Sequence, residues 1–128
     1  MKNRYFLLVV LLVSLNSINA QNTYVPDNNF EQALIDLHYD TGPLDDYVPT
    51  ANISGIPSLD IKNKTIGDLT GIRDFVSLQI LYCENNQLTS LNMTGVTALR
   101  ELYCWNNLLT ELILYQNSAL TILSCFGN

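Results

Sequence analysis

The amino-acid sequence predicts an α+β repeat fold, a solenoid of short parallel strands closed at its N-terminal end by a helix. Three observations carry that prediction. The phrase LYCENNQLTSL at residues 81–91 returns as LYCWNNLLTEL at residues 102–112, 21 positions later. Apolar residues recur at the same places within each period. The stretch ahead of the repeats does not repeat and has helical rather than strand spacing.

On the 21-residue period Leu78, Leu99 and Leu120 align, and so do Leu81, Leu102 and Leu123. Cys83, Cys104 and Cys125 form a third column, and Asn86, Asn107 and Asn128 a fourth. Leu88 matches Leu109, Leu91 matches Leu112, and Met93 matches Leu114. A worn earlier copy keeps the spacing at a 22-residue offset through Ile56, Leu59, Ile61, Ile66 and Leu69, with Asn63-Lys64 where later copies carry Asn-Asn. Self-similarity at a fixed period is the signature of a repeat architecture. The repeats therefore occupy residues 53–128 as one degenerate unit, two full units and one partial unit.

The spacing within a unit is L-x-x-L-x-C-x-x-N-x-L-x-x-L. The L-x-C step has period two, so Leu81 and Cys83 share one side of a strand and Tyr82 takes the other. The Asn three residues beyond each Cys turns the chain, its amide bonding backbone groups left open at the bend. Too few residues remain for a long helix, so the return is extended or 3₁₀. Successive strands then lie side by side in parallel, ~4.8 Å apart. One unit cannot bury its own apolar side chains, so each copy is the template on which its neighbour packs.

The segments LQILYCENNQLTSL and LRELYCWNNLLTEL resemble leucine-rich repeats, and the Cys variant at 21 residues resembles the repeats of secreted bacterial proteins of that class. TYVPDNNFEQALIDLHYDTGPLDDYVPTANISGI is similar to the N-terminal leader of such proteins. The resemblance spans about residues 23–128 and implies a leucine-rich-repeat solenoid with short parallel strands and an N-terminal capping helix. Such folds serve mostly as binding surfaces, so it implies recognition rather than a particular ligand. Longer relatives often end in a secretion-sorting domain, and none is written in this sequence. The chain stops in mid-repeat at Asn128 with an uncapped strand edge, which reads as a truncated frame or a piece of a longer array.

Residues 21–52 form the expected N-terminal cap. Asn28 and Glu31 have capping-box spacing, and Phe30, Ala33, Leu34 and Leu37 follow at helical intervals. A helix is expected near residues 28–39, stopped by Gly42-Pro43. Ahead of it, Lys2 and Arg4 precede an apolar run from Tyr5 to Leu15 and a small, polar exit ending at Ala20. That is the layout of a secretory signal peptide over residues 1–20, cleaved near Ala20. The run is too short to span a bilayer, which takes about 20 residues, and no membrane insertion of the mature chain is expected. The product is secreted or held at the cell surface.

The full chain carries a formal charge of −6. Loss of Lys2 and Arg4 leaves four basic against twelve acidic residues, or −8. An acidic surface argues against nucleic acid and anionic membrane as partners.

Three cysteines in a secreted chain raise the alternatives of a disulfide, a zinc site or free thiols. All three occupy the inward position of the repeat, where a small hydrophobe fits. Their side chains point the same way, their number is odd, and no C-x-x-C is present. They are read as buried free thiols in a structural ladder with Asn86 and Asn107. His38, the lone histidine, falls at the end of the cap helix, where a cation is favourable. No phosphate loop or H-E-x-x-H occurs. No metal, no cofactor and no enzymatic activity is expected.

If Leu81 and Cys83 face inward, Ile80, Tyr82 and Glu84 face outward, followed by Glu101, Tyr103 and Trp105, then Ile122, Ser124 and Phe126. Tyr82 falls beside Tyr103 and Trp105 beside Phe126. Aromatic residues with polar tips suit recognition, although strands favour aromatics and cross-strand pairs in any case. The sequence thus points to a non-catalytic module that binds protein through Tyr82, Glu84, Glu101, Tyr103, Trp105 and Phe126. A carbohydrate ligand on the aromatic column, or a structural spacer within a longer surface protein, are the alternatives.

Overall fold

The computed structural model describes residues 20–128. The signal peptide expected over residues 1–20 therefore lies outside the described residues, Ala20 apart. Strand β1 (Asn22–Tyr24) is followed by helix α1 (Asn28–Asp36), strand β2 (Tyr47–Pro49) and a short helix α2 (Thr50–Ile53). β1 and β2 pair antiparallel with Thr23 opposite Val48.

The start of α1 differs from the sequence expectation. Asp27, not Asn28, is the N-cap, and its Oδ1 accepts from the backbone N–H groups of Asn29 and Phe30, both at 2.9 Å. Its Oδ2 accepts from Gly67 and Asp68 N–H at 2.8 and 3.0 Å. One carboxylate thus caps the helix and fastens it to the first repeat. Either residue type caps well; the N–H pair offered by residues 67 and 68 decides between them. Glu31 does not close a reciprocal box. It is buried, and its two oxygens accept from the N–H groups of Asp45 and Asp46 at 2.7 and 3.1 Å, holding the following loop down.

The helix also ends before Gly42-Pro43. Leu37 is the C-cap, and His38 adopts φ +62°. His38 N–H donates to Ile35 O at 2.9 Å and Tyr39 N–H to Leu34 O at 2.9 Å. This is the Schellman pattern, with His38 in the left-handed position usually given to glycine.

Strands β3 (Ser58–Asp60), β4 (Ile80–Tyr82), β6 (Glu101–Tyr103) and β8 (Ile122–Ser124) form a four-stranded parallel sheet in the order β3-β4-β6-β8. Leu59 pairs with Leu81, Leu81 with Leu102, and Leu102 with Leu123. On the return side, β5 (Ser90–Asn92) pairs in parallel with β7 (Glu111–Ile113), Leu91 opposite Leu112. The return of the first repeat carries a 3₁₀ turn at Ile72–Asp74. Gly71 opens that turn at φ +102°, where a Cβ would lie 2.7 Å from the carbonyl oxygen of Tyr24. Close approach of cap and coil leaves room only for glycine.

Between the two strand sets runs a continuous core. Leu59, Ile61, Leu78, Leu81, Cys83, Leu99, Leu102 and Cys104 are buried, with Leu88, Leu91, Met93 and Val96 from the return side. The cap joins it through Phe30, whose ring stacks 6.2 Å from that of Phe75. Thr23 Oγ1 adds a polar tie, donating to Asp74 Oδ2 at 2.8 Å.

The last coil departs from the expected pattern. Leu123 is 43% exposed, and Cys125 is exposed rather than a buried thiol. β8 is an edge strand with a neighbour on the β6 side alone, and, unlike the other edge strand β3, whose Leu59 and Ile61 stay buried, its column opens to water.

Candidate recognition face

The strand register sorts the outward residues into three lanes. The first runs Ser58, Ile80, Glu101, Ile122 and the second Asp60, Tyr82, Tyr103, Ser124. Hydrogen bonding continues past the strands: Asn63 N–H donates to Glu84 O, Asn85 N–H to Trp105 O and Asn106 N–H to Phe126 O. The third lane is therefore Lys62, Glu84, Trp105, Phe126.

Two asparagine columns hold these lanes in register. Asn86 Nδ2 donates to the carbonyls of Ile61 and Cys83 at 2.9 and 3.0 Å, while its Oδ1 accepts from Lys64 and Ile66 N–H, both at 3.0 Å. Asn107 repeats the arrangement on Cys83 O and Cys104 O at 3.0 and 3.1 Å, and accepts from Leu88 N–H. Asn128 repeats it on Cys104 O and Cys125 O. The residue just before each of these turns the chain in the left-handed region, Asn85 at φ +56°, Asn106 at +50° and Gly127 at +69°. Asparagine tolerates that conformation better than other side chains. The Asn-Asn dipeptide thus assigns one amide to the turn and the other to the ladder.

On this frame the aromatic rings lie flat against one another. Tyr82 and Tyr103 stack at 5.0 Å with planes 9° apart, and Trp105 and Phe126 at 5.3 Å with planes 6° apart. Tyr103 donates its hydroxyl to Glu101 Oε2 at 2.9 Å, and that bond, followed by partial desolvation, raises the phenol above its ordinary pKa. Lys62 Nζ sits 5.5 Å from the centroid of the Tyr82 ring and 3.0 Å from Asp60 Oδ2. The Asp60 carboxylate raises the Lys62 pKa.

The six face residues singled out from sequence come together on one side of the sheet, with unequal exposure. Phe126 is 64% exposed, Tyr82, Glu101, Tyr103 and Trp105 are half-buried, and Glu84 is only 7% exposed. Asp60 and Lys62 were not singled out. The signal for them was the 22-residue offset of the worn repeat, which puts Asp60 beside Tyr82 and Lys62 beside Glu84.

Behind the face, Cys83 and Cys104 are free thiols. Burial, with Cys104 and Glu84 nearby, pushes Cys83 well above the ordinary thiol range. Burial, with Cys125 beside it, pushes Cys104 up to about 12. These thiols are the opposite of activated nucleophiles, whose pKa is lowered. Among the described residues no group of three or more His, Cys, Asp or Glu is placed to hold a metal ion. His38 sits exposed at the end of α1.

Parallel coils, an asparagine ladder and a helical cap define a leucine-rich-repeat solenoid. No protein family description matches the chain, and no curated protein matches it. Among solved structures it is similar to the functional domain of InlJ from Listeria monocytogenes, which includes a cysteine ladder; the TM-score is 0.72 at 30% identity. The match covers 83% of this chain and 24% of that one, so the chain spans about a quarter of its length. An internalin (inlF) from Listeria monocytogenes str. 4b F2365 matches at 18% identity and a TM-score of 0.47, over 78% of this chain and 43% of that one. Among the described residues no helix is long and apolar enough to cross a membrane.

Proposed function

We propose that this protein is an extracellular, non-catalytic recognition module that binds a protein partner through the strand side of its solenoid. Residues 21–52 serve as the cap and residues 53–128 as the repeat array. Tyr82, Glu84, Glu101, Tyr103, Trp105 and Phe126 form the contact surface, and Cys83, Cys104, Cys125, Asn86 and Asn107 the ladder that supports it. The leader over residues 1–20 directs the chain to the cell surface or the medium.

The observation that carries this reading is the flat pairing of Tyr82 on Tyr103 and of Trp105 on Phe126 on an outward sheet face. Rings ordered by their neighbours lose little side-chain entropy on binding, and large pre-ordered aromatic residues dominate protein interfaces. The same pairing weighs against carbohydrate as ligand: each ring covers one face of its neighbour, which leaves fewer free faces for a sugar to lie on.

The test is affinity capture of extracellular proteins on the immobilised full chain, with a glycan array in parallel. A protein captured by the wild type and lost with Tyr103→Ala plus Trp105→Ala supports the reading. Glycan binding that depends on the same two residues replaces protein by sugar. A partner that survives both substitutions contradicts the assignment of the face.

A further inference from the structure

The site's most unusual group is Glu84. The residue is 7% exposed, and its Oε2 is buried with no hydrogen-bond partner among the described residues. A carboxylate oxygen shielded from water without a donor is disfavoured, and an unpaired polar atom of this kind calls for an explanation, a partner group among them.

The donors around it are already engaged. Lys62, one coil away in the same lane, holds Asp60 at 3.0 Å and lies over the ring of Tyr82. The Tyr103 hydroxyl is given to Glu101 Oε2. The opposite lane neighbour, Trp105, offers its ring, backed by Phe126. Glu84 thus keeps one unused acceptor oxygen in an aromatic setting, on the outward side of an acidic protein of net charge −6.

We infer that the partner bound by this face presents a basic side chain, an arginine guanidinium, which takes up the free acceptor capacity of Glu84 while lying against the aromatic rings. A guanidinium is planar, donates two parallel N–H groups to one carboxylate and stacks on aromatic surfaces. Cation–π attraction adds to the ion pair. Lys62 already shows a cation resting on this aromatic surface, one position along. It is an exposed, flexible side chain, so it can yield its place and competes with the incoming cation. The net negative charge steers a basic segment toward the face. This inference rests on the recognition reading above and adds the chemistry of the partner to it.

The probe is an acetylated, amidated tri-arginine peptide, with tri-citrulline as its uncharged isostere. Trp105 is the single tryptophan, so its fluorescence reports on this face of the full-length protein. Tri-arginine is expected to give a saturable change at physiological salt, and tri-citrulline none. Glu84→Gln should weaken binding at least tenfold, and its unfolding midpoint should not fall, since Glu84 Oε2 has no hydrogen bond to lose. Lys62→Met should tighten binding severalfold by removing the competitor. Glu111→Gln, an exposed carboxylate on the return side, should change nothing. The inference is overturned if tri-arginine fails to bind, if Glu84→Gln binds as tightly as wild type, or if Glu111→Gln loses as much. Capture of a protein that needs Tyr103 and Trp105 but ignores Glu84→Gln would sink this inference and leave the recognition face standing. Capture indifferent to all three would remove both.

Discussion

The indole of Trp105 lies on the ring of Phe126 with centroids 5.3 Å apart and planes 6° apart, although 21 residues separate them in the chain. Nothing local brings them together. The backbone ladder from Asn106 N–H to Phe126 O sets two successive coils in register, and the rings follow. The stack therefore reports on the register of the last coil. Phe126→Ala should shift Trp105 emission to longer wavelength and raise its quenching by acrylamide, at a stability cost of about 1 kcal/mol. An unchanged spectrum would mean that the rings do not stack in solution.

The asparagine ladder should weaken toward its open end. Asn86 satisfies two inner carbonyls and two N–H groups, all in buried surroundings or close to them. Asn86→Ala leaves those four groups unpaired, at about 1 kcal/mol or more for each, so a loss of about 4 kcal/mol is expected in urea unfolding. Asn107→Ala should come close behind. Asn128 makes equivalent bonds, part-buried to Cys104 O and otherwise exposed, where water largely replaces them, and Asn128→Ala should cost about 1 kcal/mol. Equal losses at Asn86 and Asn128 would contradict the graded ladder.

Thiol chemistry separates the same coils. Cys125 is exposed while Cys83 and Cys104 are buried. One thiol per native chain should react with an aromatic disulfide reagent within minutes, and three after denaturation. The pH dependence follows from the raised pKa of the buried pair. The folded state holds their protons more tightly than the unfolded chain does, so their contribution is complete below the ordinary value of 9.0. It is lost as pH rises from there toward the Cys104 value of about 12. Stability should fall across that window in wild type and fall less in Cys104→Ala, measured by thermal unfolding against pH.

His38 gives a prediction of opposite sign. It occupies φ +62° at the close of α1 and has no metal cluster around it among the described residues. Glycine adopts that conformation without strain, so His38→Gly relieves about 1–2 kcal/mol of left-handed strain against about 0.4–1 kcal/mol of added unfolded-chain entropy, and a net gain of about 0.5–1 kcal/mol is expected. A loss of stability would assign the imidazole a contact that the backbone geometry does not require.

The coil was legible because its rules are written in the chain itself: a side-chain period of two within each strand and a repeat of 21 or 22 between strands place Leu59, Leu81, Leu102 and Leu123 in one column. What escaped were choices made by distant backbone. Asp27 and Asn28 are equally good caps by residue type, and only the N–H groups of Gly67 and Asp68, 40 and 41 residues away, favour Asp27. Glu31 has capping-box spacing, yet the loop at Asp45 and Asp46 claims it. Cys125 carries the same letter as Cys83 and Cys104, yet in the last coil it is exposed. Glu84 alternates outward as the pattern requires, yet it is only 7% exposed. Periodicity fixes which way a residue points, whereas cover depends on what lies next to it in space.

We propose that the strand side of the solenoid, and not the return side, is the surface that recognises a protein. The most direct measurement is the affinity of a captured partner for three versions of the full chain with matched unfolding midpoints: wild type, Tyr103→Ala with Trp105→Ala, and Thr110→Ala with Glu111→Gln on the return side. The strand-side pair should lower affinity a hundredfold or more, with the return-side pair within twofold of wild type. Loss confined to the return-side pair, or none in either, would contradict the claim.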